Sequence, residues 1–204
     1  MTPPSRRRNV APPREAVLAA AMATIAEHGL DRLTMAGLGR DVGMSSGHLL
    51  YYFRTKDELL LRTLEWSESL LGAKRAALLS GPGSAAERLA AYVGLYVPDG
   101  PGDPHWSLWL EVWNRSQAAG AEDARARQGA IEAAWHGDLV ALLAEGIARG
   151  EFRAVDPDRH ATRLRALLDG FSVHVAVGLP GAGRPEVLAH TAEFLVETLF
   201  APVP

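Results

Sequence analysis

The sequence predicts an all-α protein of nine helices. Between Gly- and Pro-containing breaks, apolar residues recur at three- and four-residue spacing, and no stretch carries the alternation of a half-buried strand. Most breaks are followed by a residue able to cap a helix: Thr34, Ser45, Thr55, Ser84, Asp103 and Asp156. At 204 residues, 48% apolar and 22% charged, the chain can bury a sizeable core around such helices.

The first helix is expected over residues 13–28, with Val17, Leu18, Ala21 and Ile25 on one face. Gly29 should end it as a left-handed residue. Thr34 caps a short second helix to residue 41, Gly43 makes a turn, and Ser45 caps a short third helix to about residue 52. Leu49 and Phe53 read as core, and one of Tyr51 and Tyr52 is expected to pack inward. Thr55-Lys56-Asp57-Glu58 reads as a capping box opening a fourth helix to about residue 79. After Gly81-Pro82-Gly83, Ser84-Ala85-Ala86-Glu87 is a second such box and opens a fifth helix to about residue 96. Asp103-Pro104 and Asp156-Pro157 each set a cap before a first-turn proline. They start the sixth helix, ending near residue 120, and the eighth, ending near 177. The seventh spans about 122–149 before Gly150, and the ninth 185–200.

Charge is unevenly distributed. The net charge of −3 divides into +4 over residues 1–56 and −7 over the rest. A basic unit joined to an acidic one suits a polyanionic partner for the first. The expected organisation is a flexible basic arm over residues 1–12, a helix-turn-helix unit over 13–56, and a ligand-binding and dimerisation unit over 57–204. Arg6, Arg7 and Arg8 of the arm could reach a minor groove. The absence of cysteine excludes disulfides, thiolate metal sites and cysteine nucleophiles. No apolar run is long enough to span a bilayer, and no apolar stretch follows the basic start, so a soluble, cytoplasmic protein without a membrane partner is expected. The seven histidines are scattered without metal-ligand spacing, and no Gly-rich phosphate loop occurs. No cofactor, metal or catalytic group is therefore expected, and an α-helical enzyme is the remote alternative.

Two short helices joined by a Gly-containing turn form a helix-turn-helix, whose second helix presents its N-terminal residues to base edges. Here that helix carries Ser45, Ser46, Gly47, His48, Tyr51 and Tyr52. Gly47 removes bulk where the helix end must approach a sugar-phosphate wall. Thr34, Arg40 and Lys56 flank it, the two cations being suited to phosphate. These nine residues are the candidate DNA contacts.

The segment resembles the TetR family of transcriptional regulators through Ala26-Glu27-His28-Gly29, Leu33-Thr34-Met35, Leu38-Gly39, Val42-Gly43-Met44-Ser45, Gly47, Tyr52-Phe53 and Thr55-Lys56-Asp57-Glu58-Leu59. The resemblance is strong over residues 14–61. It departs at Gly39, where the family usually has Ala, and at Leu50, where a Tyr is common. Gly37 and Gly39 each cost a helix about 1 kcal/mol relative to Ala, so this helix must rely on packing by Met35 and Leu38. The resemblance implies a homodimer on a palindromic double-stranded operator, its two reading helices roughly 34–36 Å apart or a multiple of that. It also implies release from DNA by a small molecule held among helices four to seven, with helix four as the natural lever. A ligand-independent repressor is the alternative reading.

Trp106, Trp109 and Trp113 share one face of the sixth helix, as core or as pocket wall. With Arg165-Ala166-Leu167-Leu168-Asp169-Gly170-Phe171, this stretch resembles the choline-sensing, BetI-like branch of the family. Aromatic faces attract quaternary ammonium groups, so the implied effector is cationic or amphipathic, a polyamine included. The candidate ligand contacts are Trp106, Trp109, Trp113, His136, Phe171 and His174, and Glu111 could add charge. Arg125, Arg127 and Asp123 read as a solvent-facing patch. The candidate dimer face comprises Leu164, Leu168, Phe171 and Val175 on helix eight, with Val187, Thr191, Phe194, Leu195 and Thr198 on helix nine. The same stripes could instead face the chain's own core.

Overall fold

The computed structural model describes residues 13–115 and 122–200. The expected arm and the end of the sixth helix lie outside them. Among the described residues nine α-helices follow one another: α1 Arg14–His28, α2 Met35–Val42, α3 Ser46–Phe53, α4 Lys56–Leu79, α5 Ala85–Tyr96, α6 Pro104–Arg115, α7 Glu122–Ala148, α8 Pro157–Ala176 and α9 Arg184–Thr198.

The caps form as the side chains dictate. Thr34, Ser45, Thr55 and Asp156 each accept from the backbone N–H three residues on. Ser84 and Glu87 close a full reciprocal box. The box expected at Thr55 is only half made. Glu58 does not return to the Thr55 backbone, because Arg62 at 2.7 Å and Arg127 at 3.1 Å draw its carboxylate away. Gly29 takes positive φ (76°) with extended ψ (162°) rather than a left-handed helical turn. A 3-10 turn, Leu30–Arg32, follows it, which the sequence did not announce.

Two apolar clusters organise the chain. One joins α5, α7, α8 and α9. The other joins α1, α2 and α3 to the start of α4 through Leu59, Leu60 and Leu64, and to α6 through Leu108, Trp109 and Val112. The N-terminal core therefore does not stop at residue 56: α4 and α6 both complete it.

The eighth and ninth helices correct the expected dimer face. Leu164, Leu168, Val175, Val187, Thr191 and Leu195 are at most 4% exposed within the single chain, so no surface of theirs is left for a partner. Helices with wide apolar stripes satisfy their own core first. Phe171, Phe194 and Thr198 stay half-buried. The outward face of α8 presents Ala166, Gly170 and His174, and that of α9 presents Ala189 and Val196.

The α2–α3 turn is tight. Gly43 closes α2 at φ 72°, ψ 28°, and the Met44 N–H donates to the Gly39 carbonyl at 2.7 Å. A Cβ on Gly39 would sit 2.5 Å from the Met44 carbonyl oxygen. The glycine that weakens α2 by propensity is thus what lets the turn close. Gly47 differs: a Cβ there would meet nothing within 4 Å. Gly39→Ala should lower the melting temperature despite a propensity gain of about 1 kcal/mol, because a backbone atom cannot rotate away. Gly47→Ala should leave it unchanged or raise it. Thermal denaturation of the two variants checks both, and a stabilised Gly39→Ala would contradict the packing account.

Candidate functional site

The first surface is the outer side of α2 and α3. Thr34 and Ser45 serve as caps, at 3.0 Å to the Gly37 N–H and 3.2 Å to the His48 N–H. Arg40, Ser46, Gly47 and His48 are exposed, and Lys56 is half-buried at the first position of α4. Leu49 and Phe53 turn inward and are completely covered, at 0% and 1% exposure. Neither neighbouring tyrosine follows them. Tyr51 is 80% and Tyr52 50% exposed, which corrects the expectation that one packs inward. Tyr52 stacks on His48 at 5.2 Å, one helical turn away, and meets the edge of Tyr51 at 5.5 Å. The inward positions of this short helix are already filled by Leu49 and Phe53, so the tyrosines form an outward aromatic ledge. Large exposed rings in a contiguous group mark an interaction surface.

The second site lies where α4, α5, α6, α7 and α8 converge. Its narrow cavity, about 30 Å3, is lined by Glu68, Leu95, Tyr96, His105, Trp106, Trp109, Trp113, Glu132, Trp135 and Arg165. The rings contact one another mainly edge to face. Tyr96 meets Trp106 at 5.9 Å and Trp135 at 5.1 Å, and Trp113 meets Trp106 at 5.8 Å and Trp109 at 5.5 Å.

Glu68 organises this cage. One of its oxygens accepts from the Trp109 indole N–H and the other from that of Trp135, both at 2.8 Å. His105 Nε2 lies 3.1 Å from the same carboxylate, and its Nδ1 lies 2.9 Å from Ser67 Oγ. Burial alone would raise the Glu68 pKa, but the His105, Trp135 and Trp109 interactions outweigh it and hold the carboxyl below its ordinary value. Glu132 supplies a second carboxylate, accepting from Gln128 at 2.7 Å and Trp113 at 3.4 Å. Four tryptophans, a tyrosine and two carboxylates line the cavity, the Trp135 ring already carrying the Arg75 guanidinium at 4.1 Å, and such a set suits a desolvated organic cation.

The three tryptophans of α6 thus reach the cavity, and the other candidate contacts do not. His136 instead pairs with Asp158 at 2.8 Å on the outer side of α7. Phe171 stacks on His190 at 6.0 Å, away from the cage, and His174 is exposed. Glu111 faces α1, accepting from the Leu30 N–H at 3.3 Å. Arg127 is not part of a solvent-facing patch. It is mostly covered and clamps α7 to α4 through Glu65 at 2.6 Å and Glu58 at 3.1 Å. Glu68, Tyr96, His105, Glu132, Trp135 and Arg165 come from helices whose relative rotation no periodicity reveals. The one available signal was Trp135, the single aromatic residue of α7 besides His136.

The Glu68 shift has a sign. Its carboxyl binds a proton less readily in the folded chain than in the unfolded one. It therefore contributes stability above the ordinary value of 4.5 and loses that contribution as pH falls below it. Glu68→Gln should be about 1–3 kcal/mol less stable at neutral pH. Its stability should also fall less steeply under acid than that of the parent chain. Urea denaturation across pH checks this, and parallel acid limbs would assign the acid sensitivity elsewhere.

Known proteins match both parts of the chain. Residues 17–63 match the model of bacterial regulatory proteins of the tetR family, and residues 85–200 that of the BetI-type transcriptional repressor C-terminal domain. The HTH-type transcriptional regulator BetI of Burkholderia mallei is 28% identical over 199 residues, covering 93% of this chain and 94% of that protein. BetI of Brucella anthropi is 24% identical over 187 residues, covering 91% and 93%. A transcriptional regulator from Saccharomonospora viridis, solved in complex with choline, superposes with a TM-score of 0.85 at 28% identity, covering 92% of this chain and 97% of that one. Escherichia coli NemR, at 20% identity and a TM-score of 0.75, shares the fold over 94% of this chain and 99% of its own. With a helix-turn-helix at one end and a BetI-type helical domain over more than half its length, the chain belongs to the TetR family of transcriptional regulators, on its BetI-type branch.

Proposed function

We propose that the protein is a homodimeric repressor that binds a palindromic operator and is released by a small quaternary ammonium compound held in the aromatic cage. The observation that carries this is Glu68, a buried carboxylate contacted by His105 and by two indole N–H groups within a wall of aromatic rings. Such a wall stabilises an organic cation by about 2 kcal/mol or more per desolvated ring. The choline bound by the Saccharomonospora viridis relative is of this chemical class.

The cage is also placed to report its state. Its present volume, about 30 Å3, has room for about two waters. A trimethylammonium group can enter only if the rings that line the cage part, and a movement of α6 relative to α4 and α7 would part them. The far end of α6 is fastened to the reading unit. Glu111 accepts from the Leu30 N–H, and Arg115 reaches Asp57 at 3.2 Å and Asp31 at 3.9 Å. A ligand shifts an equilibrium only through unequal affinity for its two states. Widening the cage supplies that inequality, and α6 carries it to the reading heads alongside α4. The exposed faces of α8 and α9, around Gly170, His174, Ala189 and Val196, form the contact between subunits.

On an inverted-repeat duplex, Lys56→Ala should weaken binding to all sequences alike and reduce the slope of log affinity against log salt by about one. His48→Ala and Tyr51→Ala should change which base is preferred, at about 1–3 kcal/mol per lost contact. Gly47→Ala should weaken binding without loss of stability. Fluorescence anisotropy across salt and operator variants distinguishes these, and four variants with unchanged affinity would show that another surface reads DNA.

Choline or a related trimethylammonium compound should quench or shift tryptophan emission and lower operator affinity by roughly 5–150-fold. Trp113→Ala should blunt that response while leaving operator affinity near the parent value. A response unchanged in a folded Trp113→Ala protein would place the effector outside the cage.

A further inference from the structure

Arg165 is out of place in a cage for cations. It enters the cavity wall from α8, between the fully buried Leu164 and Leu168. Its Nη1 donates to the Glu132 backbone carbonyl at 3.2 Å. Its Nε is buried and has no hydrogen-bond partner. The guanidinium makes no close ion pair among the described residues, but the Tyr96 hydroxyl and the Asp169 charge lie near it, so Nε is the donor left unmet. The nearby Asp169 carboxylate is engaged by the Tyr96 hydroxyl, which donates to its Oδ1.

A guanidinium is permanently charged and has five donors and no acceptor. Leaving one of those donors buried and unmet is costly, and an unmet group in a binding cavity marks where an acceptor from outside belongs. A bare tetraalkylammonium ion offers no acceptor and would bring a second positive charge beside the first. A quaternary ammonium compound that also bears an oxygen matches both the rings and the unmet donor. Its cationic head meets the rings with Glu68 and Glu132, and its oxygen meets Nε of Arg165.

We propose that Arg165 reads the oxygen of the effector, so that the site selects quaternary ammonium compounds bearing a hydroxyl or carboxylate over those bearing none. This rests on the cage being the effector site. It adds a specificity-determining residue to the cavity wall, beside Glu132.

Calorimetric titration of the full-length protein with choline, glycine betaine and tetramethylammonium tests it. Choline or glycine betaine should bind at least about tenfold more tightly than tetramethylammonium, the worth of one hydrogen bond to a charged group. Which of the two binds more tightly tells whether a hydroxyl or a carboxylate is read. Arg165→Met, similar in length and apolar, should erase the preference by weakening only the oxygen-bearing probes. Tetramethylammonium should bind the variant as well as or better than the parent. Arg165→Gln serves the same comparison if the methionine variant does not fold. Equal affinity of the parent for all three probes would overturn the assignment while leaving the cage intact, as would an Arg165 variant that weakens all three alike. Binding of none of them would remove the cage reading and this assignment together.

Discussion

The contact on which the rest of the structure turns is the acceptance of two indole hydrogen bonds by Glu68. Trp109 belongs to the apolar cluster around the reading unit, and Trp135 to the cluster of α5, α7, α8 and α9. One carboxylate on α4, with 2.8 Å contacts to each, ties the two clusters together at their boundary. An apolar residue there would pack the clusters but could not fix the rotation of α6 against α7. Directional hydrogen bonds do so, and an ionised acceptor makes them roughly twice as strong as neutral ones. The buried charge is tolerable because His105, Trp109 and Trp135 answer it. Position on α4 matters equally, since the same helix begins at Thr55, directly after the reading helix.

That arrangement explains why the chain is not two independent modules. The cluster of the reading unit takes Leu108, Trp109 and Val112 from α6, and the same helix lends Trp106 and Trp113 to the cage. Adjacent residues on α6 therefore serve different purposes. Leu108 and Val112 hold the reading unit in place, while the tryptophans line the cavity. Salt bridges reinforce both routes from the cage to that unit. Arg115 fastens α6 to Asp57, and Arg127 fastens α7 to Glu58 and Glu65 near the start of α4. These are partly exposed pairs, individually worth little. Their number across one junction is what makes that junction stiff.

Local chemistry was legible in the sequence and mutual orientation was not. Thr34, Ser45, Ser84 and Asp156 cap because a side-chain oxygen three residues before a free N–H has one good use, whatever the tertiary context. Leu49 and Phe53 were readable as core from spacing alone. The failures share one cause. Whether the stripe of Leu164, Leu168 and Val175 faces a second subunit or the chain itself depends on what else competes for it, and the pattern is identical in both cases. Glu58 shows the same effect on a smaller scale: a capping-box carboxylate was diverted by Arg127, 69 residues away. His136 was a reasonable candidate on a half-apolar helix, and it was the rotation of α7 that sent it toward Asp158. The tryptophans of α6 line the cavity because three large rings on one face leave few other places to go.

The closed state of the cage sets the terms on which any effector acts. Its rings now satisfy one another through four aromatic contacts, two made by Tyr96 and two by Trp113, each worth about 0.5–1.5 kcal/mol beyond simple burial. A cation that enters must separate some of these pairs before it gains its own contacts with the faces. The observable affinity is the difference, and it is lower than the affinity of an already open cage by the population of that open form. The opening cost is also what makes the signal. An open, preformed cage would bind more tightly but move nothing, because a ligand with equal affinity for both states shifts neither. On the proposed reading, the aromatic contacts that hold the cavity near 30 Å3 would weaken effector binding, and the need to break them is what would couple binding to DNA. Substitutions that loosen the packing without removing the cation-binding faces should trade one for the other.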